Sequence, residues 1–207
     1  MAMTVKVCGM RDAGNIRQVE QTGADLMGFI FYPRSKRCVT ALPDYLPQLQ
    51  QRVGVFVDET KAAILATASR FALSYIQLHG NESPAFCHEL RAEGLRVIRA
   101  LGIATEADAR RAETYAGAAD LMVFDTPSPS HGGTGQRFNW QALRAYRGPV
   151  PFLLSGGIGP EAADDLLAFS HPMMAGVDLN SRFETAPGVK DAAALAQFIA
   201  KLKSAGK

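Results

Sequence analysis

Two side chains in this sequence are placed to move protons: the thiol of Cys8 and the carboxylate of Asp125. Cys8 ends the short run Thr4-Val5-Lys6-Val7-Cys8 and is followed by Gly9. In a strand, Val5 and Val7 share one face, and Thr4, Lys6 and Cys8 share the other. Apolar residues outward and polar ones inward suit a barrel strand whose interior leads to a reactive mouth. A buried structural thiol is the commonest fate of a free cysteine. Positive charge from Lys6 on the same face would instead favour the basic thiolate, less so if Lys6 pairs with Asp178, as strand parity suggests. Asp125 directly follows Leu121-Met122-Val123-Phe124. It is either a turn former in Asp125-Thr126-Pro127 or an active acid. A group that removes a proton and another that supplies one make a general acid/base pair.

Other residues add an anion to this picture. Gly132-Gly133-Thr134-Gly135, Ser155-Gly156-Gly157-Ile158-Gly159 and Asp178-Leu179-Asn180-Ser181 each follow a β-like run. Glycine lets backbone N–H groups approach an anion closely, so these loops are phosphate candidates. Arg34-Ser35-Lys36-Arg37 is either a solvated loop or a small-anion contact. Gln77 and His79 flank the end of another run, Gln77 reading as a hydrogen-bonding barrel residue and His79 as a ligand, a base or a packed polar group. Of the four histidines only His79 sits at a strand end, with no second one to pair with it, so no metal is expected. No redox motif is visible, so no cofactor is expected either.

The elements that must hold these groups alternate. Strand candidates are 4–8, 26–31, 52–57, 75–78, 96–101, 121–125, 150–155 and 175–179. Helix candidates are 15–21, 43–51, 61–70, 84–93, 106–115, 140–146, 160–169 and 190–203. Asp58-Glu59-Thr60 and Ser83-Pro84 are helix-start signals. Successive strand ends lie 21 to 30 residues apart, the size of one βα unit. Eight such units without a linker predict an α/β protein, a (β/α)8 barrel, forming one compact domain over 1–207. An open doubly wound sheet is the competitor. In the barrel these loops follow strands six, seven and eight, and this fold frequently builds its phosphate site after strands seven and eight. Strands one and six then face each other across the mouth, so Cys8 and Asp125 could flank one sugar-sized ligand.

The 207 residues carry a net charge of +2, with 47% hydrophobic and 20% charged residues. That is ordinary for a globular chain and too mild for nucleic acid or a membrane surface. Three sparse cysteines, Cys8, Cys38 and Cys87, form no C-x-x-C pair. With no apolar leader visible, they point to reduced thiols in a cytoplasm.

With these residues in order, the chain resembles the phosphoribosylanthranilate isomerases of tryptophan biosynthesis from end to end. The likeness is carried by Lys6-Val7-Cys8-Gly9, Gly28-Phe29-Ile30-Phe31-Tyr32-Pro33 with Ser35-Lys36-Arg37, and Gln77-Leu78-His79-Gly80. It continues through Asp125 with Gly132-Gly133-Thr134-Gly135 and Phe138-Asn139-Trp140, then Ser155-Gly156-Gly157-Ile158 and Gly176-Val177-Asp178. The resemblance implies an Amadori rearrangement of N-(5-phosphoribosyl)anthranilate. Asp125 would be the general acid at the ring oxygen, and Cys8, as thiolate, the base at C2. Arg37 would meet the anthranilate carboxylate, and Gly156, Gly157, Asn180 and Ser181 the phosphate. Gln77, His79, Gly133 and Asp178 would complete the substrate site. Asn180-Ser181-Arg182-Phe183 departs from the family's usual serine pair followed by glycine, and Arg182 is expected to face solvent. Lys36 and Cys38 replace a common proline and aromatic. Two rivals remain: the related histidine-pathway aldose–ketose isomerase, expected to carry a carboxylate where this chain has Cys8, and a noncatalytic phosphate-binding barrel. The expected partner is a phosphorylated sugar, not nucleic acid or membrane, with the chain a monomer or homodimer.

Overall fold

The computed structural model describes residues 3–127 and 139–205. Eight parallel strands close on themselves in chain order. They are β1 (Thr4–Cys8), β2 (Leu26–Ile30), β3 (Gln51–Phe56), β4 (Tyr75–Leu78), β5 (Arg96–Gly102), β6 (Leu121–Asp125), β7 (Phe152–Leu154) and β8 (Met174–Leu179). Closure is made by β1, which pairs with β2 on one side and β8 on the other, placing Lys6 opposite Asp178. The barrel is therefore the expected one, and the alternation on β1 runs as read. Val5 and Val7 belong to the apolar layer between strands and helices. A smaller inner cluster, including Leu26, Val53, Ile98, Val123 and Leu153, fills the barrel. Above it the inward positions turn polar, with Lys6, Gln77 and Asp178 all buried.

Helices α1 (Ala13–Glu20), α2 (Lys61–Phe71), α3 (Pro84–Ala92), α4 (Glu106–Arg111), α5 (Ala163–Ala168) and α6 (Ala192–Ala205) lie between or after strands. Thr60 and Ser83 cap α2 and α3 by accepting from the backbone N–H three residues on, as the start signals predicted. Three predicted helices shorten. The 106–115 segment is α4 plus a 3₁₀ turn, 140–146 is a 3₁₀ turn at Trp140–Ala145, and 160–169 is a 3₁₀ turn leading into α5.

One expectation fails outright, and the start of the last helix is shifted by two residues. No helix forms over 43–51, which runs as bends into β3. Pro47 would remove a helical N–H there and clash with the carbonyl of Pro43. The side chain of Glu20 secures this loop instead, accepting from Tyr45 Oη at 2.5 Å, Gln48 N at 2.5 Å and Leu49 N at 2.9 Å. The last helix does not begin at Lys190. Val189–Lys190 is a strand, β10, pairing antiparallel with β9 (Glu184–Ala186). Pro187-Gly188 makes the turn between them, with Gly188 at φ +84°. This small hairpin delivers two charged side chains to the barrel mouth.

Candidate active site

The C-terminal ends of the strands surround a cavity of about 400 Å³. Cys8, Arg37, Gln77, His79, Asp125, Gly156, Gly157, Asp178, Asn180 and Ser181 all line it. The remaining expected site residue, Gly133, lies with Gly132, Thr134, Gly135 and Phe138 outside the described residues.

Cys8 ends β1 and is 4% exposed. Room for its sulfur comes from Gly28 on β2, where a Cβ would sit 2.7 Å from Sγ. Lys6, one turn of the pleat below, donates to both oxygens of Asp178 at 2.8 and 2.9 Å. The guess from parity therefore holds, and it has a cost. Burial pushes the Cys8 thiol up and Asp178 adds to it, against the pull of Lys6 and Lys190. The pair weakens the effect of Lys6 on the thiol, as parity suggested; the pull of Lys6 still exceeds the push of Asp178, but desolvation prevails.

Asp125 ends β6, buried, with Oδ1 accepting from Thr126 N at 2.8 Å and Oδ2 lying 3.7 Å from His79 Nε2. Burial pushes its carboxyl from 3.8 up to about 6, with the Thr126 N–H pulling the other way and the charge of Asp178 adding to the rise. A carboxyl with this value holds a proton far more readily than a surface aspartate, which suits a general acid. No turn forms over the described residues 125–127, and the carboxyl lines the cavity.

After β7 the chain turns through Gly156 and Gly157, at φ +87° and +62°. A Cβ at Gly156 would lie 2.2 Å from Thr126 Oγ1 and 2.7 Å from its backbone N, so only glycine fits beside Asp125. Asn180 and Ser181 follow β8 on the adjoining wall. Arg182 is 47% exposed and 3.1 Å from Glu161. It meets solvent as expected while also edging the cavity.

Arg37 lines the cavity, yet its fork is engaged. Nε and Nη2 donate to the two oxygens of Glu184 at 2.7 and 2.6 Å. A bidentate grip on a substrate carboxylate would need this pair to open; an end-on contact through Nη1 would not. Glu184 and Lys190, which sequence reasoning missed, stand behind the cavity wall and hold two of its lining residues, Arg37 and Asn180. Lys190 Nζ donates to Glu184 Oε1 and Asn180 Oδ1, both at 2.7 Å. Burial would raise Glu184, but Arg37 and Lys190 hold it down at about 2. The signal that could have found them is Pro187-Gly188, a turn pair between two short runs. Gln77 is 1% exposed, and its Oε1 has no partner among the described residues. Among the described residues no group of three or more metal-ligating side chains converges, and no helix is long and apolar enough to cross a membrane.

This arrangement was compared with known proteins. The family model described as "N-(5'phosphoribosyl)anthranilate (PRA) isomerase" matches residues 5–201. A relative from Phocaeicola vulgatus named N-(5'-phosphoribosyl)anthranilate isomerase is 53% identical over 201 residues, covering 97% of this chain and 98% of the relative. The crystal structure of phosphoribosyl anthranilate isomerase from Thermotoga maritima aligns with a TM-score of 0.83 at 34% identity, covering 98% and 99% of the two chains. A solved isomerase in complex with reduced 1-(o-carboxyphenylamino)-1-deoxyribulose 5-phosphate aligns at TM-score 0.80 and 33% identity, with the same coverage.

Proposed function

Since the chain belongs to the N-(5'-phosphoribosyl)anthranilate isomerase family and is an isomerase of tryptophan biosynthesis, we propose that Cys8 and Asp125 carry its Amadori rearrangement between them. The carrying observation is that both line one cavity, from opposite strands, beside the paired glycines of the β7 turn. The phosphate of N-(5'-phosphoribosyl)anthranilate sits on the backbone N–H groups of Gly156, Gly157 and the Asn180-Ser181 turn. The anthranilate carboxylate lies toward Arg37. Gln77 Oε1 accepts from a ribose hydroxyl, and His79 steadies the outer oxygen of Asp125.

Asp125 donates its proton to the furanose ring oxygen as the C1'–O bond breaks, and the nitrogen lone pair forms the C=N bond of an open-chain iminium. Cys8 thiolate then takes the proton from C2'. The released electron pair forms the C1'=C2' bond and neutralises the iminium, giving an enolamine. Proton return to C1' and loss from the C2' hydroxyl yield the ketone, 1-(2-carboxyphenylamino)-1-deoxyribulose 5-phosphate. No covalent intermediate forms.

The resting protonation is the reverse of what these steps need. Burial holds Cys8 above the ordinary thiol value of 9.0, while Asp125 loses its proton near 6. The competent form, acid protonated and base ionised, is the minority member of the pair at neutral pH. The dependence of kcat/KM on pH is then a bell. Below about pH 6 the rate falls roughly tenfold per unit, because Asp125 is already protonated and acidification only titrates away thiolate. Between the two values it is flat, and the alkaline limb lies above 9.0. The test is conversion of N-(5'-phosphoribosyl)anthranilate by wild type, Cys8→Ser and Asp125→Asn. Turnover by wild type and a loss of about 10²–10⁴-fold in each variant are expected. Near-full turnover in both variants overturns the assignment, and an inactive wild type overturns the function.

A further inference from the structure

The base lies in a shell of charge that the mechanism above leaves unexplained. Lys6 reaches Cys8 from β1, Asp178 from β8 and Lys190 from β10. Arg37 reaches it from the loop after β2, and Glu184 on β9 stands behind Arg37 and Lys190. These groups fall into two sets of different sign. Lys6 and Asp178 are one cation closed onto both oxygens of one anion, and the set is neutral. Arg37, Glu184 and Lys190 are two cations sharing one carboxylate. The remaining oxygen on Lys190 belongs to the neutral amide of Asn180. The net positive charge of the shell therefore belongs to the second set, which adds to the pull of Lys6, a group that outweighs Asp178 at the thiol and makes a side-chain hydrogen bond with Cys8.

Its placement is rigid. Both backbone groups of Lys190 are clamped by the side-chain amide of Asn15 on α1, which accepts from Lys190 N at 2.7 Å and donates to Lys190 O at 2.8 Å. The aliphatic stem is fully enclosed, and the ammonium ends over the Cys8-Gly9 bend: a Cβ at Gly9 would lie 3.5 Å from Nζ. That same Cβ would meet Arg37 Cδ at 2.7 Å and Asn180 Oδ1 at 2.9 Å, and Gly9 has φ +81°. Glycine after the thiol is thus what lets the cation set close down on the base.

We propose that Lys190 is the positioning cation of the Cys8 base, held by the β9–β10 hairpin so that the positive excess of the Arg37–Glu184–Lys190 set favours the thiolate. This rests on the assignment of Cys8 as base. It agrees with the mutual effect of the two groups: the charge of Lys190 pulls Cys8 down, and although burial leaves Lys190 below its ordinary value, Glu184 and then Cys8 push it back up.

The test uses Lys190→Gln and Lys190→Arg in the full chain. Cys8 alkylation by iodoacetamide is followed from pH 6 to 10 on substrate-free protein. Peptide mass spectrometry separates Cys8 from Cys38 and Cys87. In Lys190→Gln the midpoint for Cys8 rises by about one unit, so alkylation at pH 8 slows about tenfold. The alkaline limb of kcat/KM moves up by the same amount, and the plateau falls by the same factor because the competent form is rarer. Lys190→Arg, which keeps a cation, restores both. An unchanged alkylation profile in folded Lys190→Gln overturns the proposal, even if activity falls. Should Lys190→Gln not fold, Asn180→Asp leaves the lysine in place and cancels the positive excess. It carries the same expected rise, and an unchanged midpoint there also overturns the proposal. The alkylation arm needs no substrate, so a wild type inactive on N-(5'-phosphoribosyl)anthranilate would reject the function without touching this result.

Discussion

The two walls of the cavity treat a titratable group in opposite ways. On the β1 wall Cys8 stands among five charged side chains from the strands and the hairpin, all paired with one another. On the β6 wall Asp125 stands beside a backbone N–H, an imidazole and a glycine turn. Burial raises both groups. On the β6 wall that works toward the task, because a general acid should hold its proton. On the β1 wall burial works against the base, and charge must be brought in to oppose it. Each buried cation then requires a carboxylate, and each carboxylate a second partner. An acid needs only a dry place, whereas a base that is an anion needs a network.

The largest effect that breaks this contrast is on stability. Asp178→Asn leaves the fully buried Lys6 without its anion. A loss of about 3–5 kcal/mol in urea unfolding at pH 7 is expected, as for other half-removed buried pairs. Asp125→Asn should do the reverse. Its carboxyl is raised from 3.8 to about 6, so the folded state resists ionisation. That destabilisation is absent below pH 4 and complete above about 6. The amide should therefore be more stable than wild type at pH 7, by up to about 3 kcal/mol, with the gain vanishing near pH 4. An Asp178→Asn protein as stable as wild type, or an Asp125→Asn protein less stable, would erase the distinction between the walls.

A smaller effect sharpens the comparison at the turn. Gly156→Ala places a methyl against Thr126 Oγ1 in a left-handed backbone. A cost of about 1–3 kcal/mol in thermal unfolding and a raised KM for the phosphorylated substrate are expected. The smallest effect is at the rim. Arg182→Ala removes a half-exposed pair with Glu161 and should shift stability by less than about 0.5 kcal/mol. A large loss of activity there would make Arg182 part of the anion site and not its border.

Most of the barrel was legible because each β-run carries its own signal. β6 is five buried residues ending in Asp125, and a strand end in this fold is a mouth position wherever the chain goes next. The segment over 43–51 was misread for the opposite reason: its apolar spacing suits a helix, but its structure is dictated by the distant Glu20 carboxylate. Lys190 was misread because a lysine before an alanine-rich run looks like the start of a helix, while its pairing partner β9 and its clamp Asn15 are elsewhere in the chain.

The sequence by itself determined the eight strands, the identity of the thiol and the carboxylate at two strand ends, and the glycine turns beside them. These follow from local periodicity and from backbone conformations that only particular residues adopt. The tertiary structure alone decided the protonation of the pair and the company it keeps. Desolvation depends on closure of the barrel around Cys8 and Asp125. Of the cations that answer it, Arg37 and Lys190, with the carboxylate of Glu184 that holds them, are brought within Coulombic reach of the thiol only by the fold.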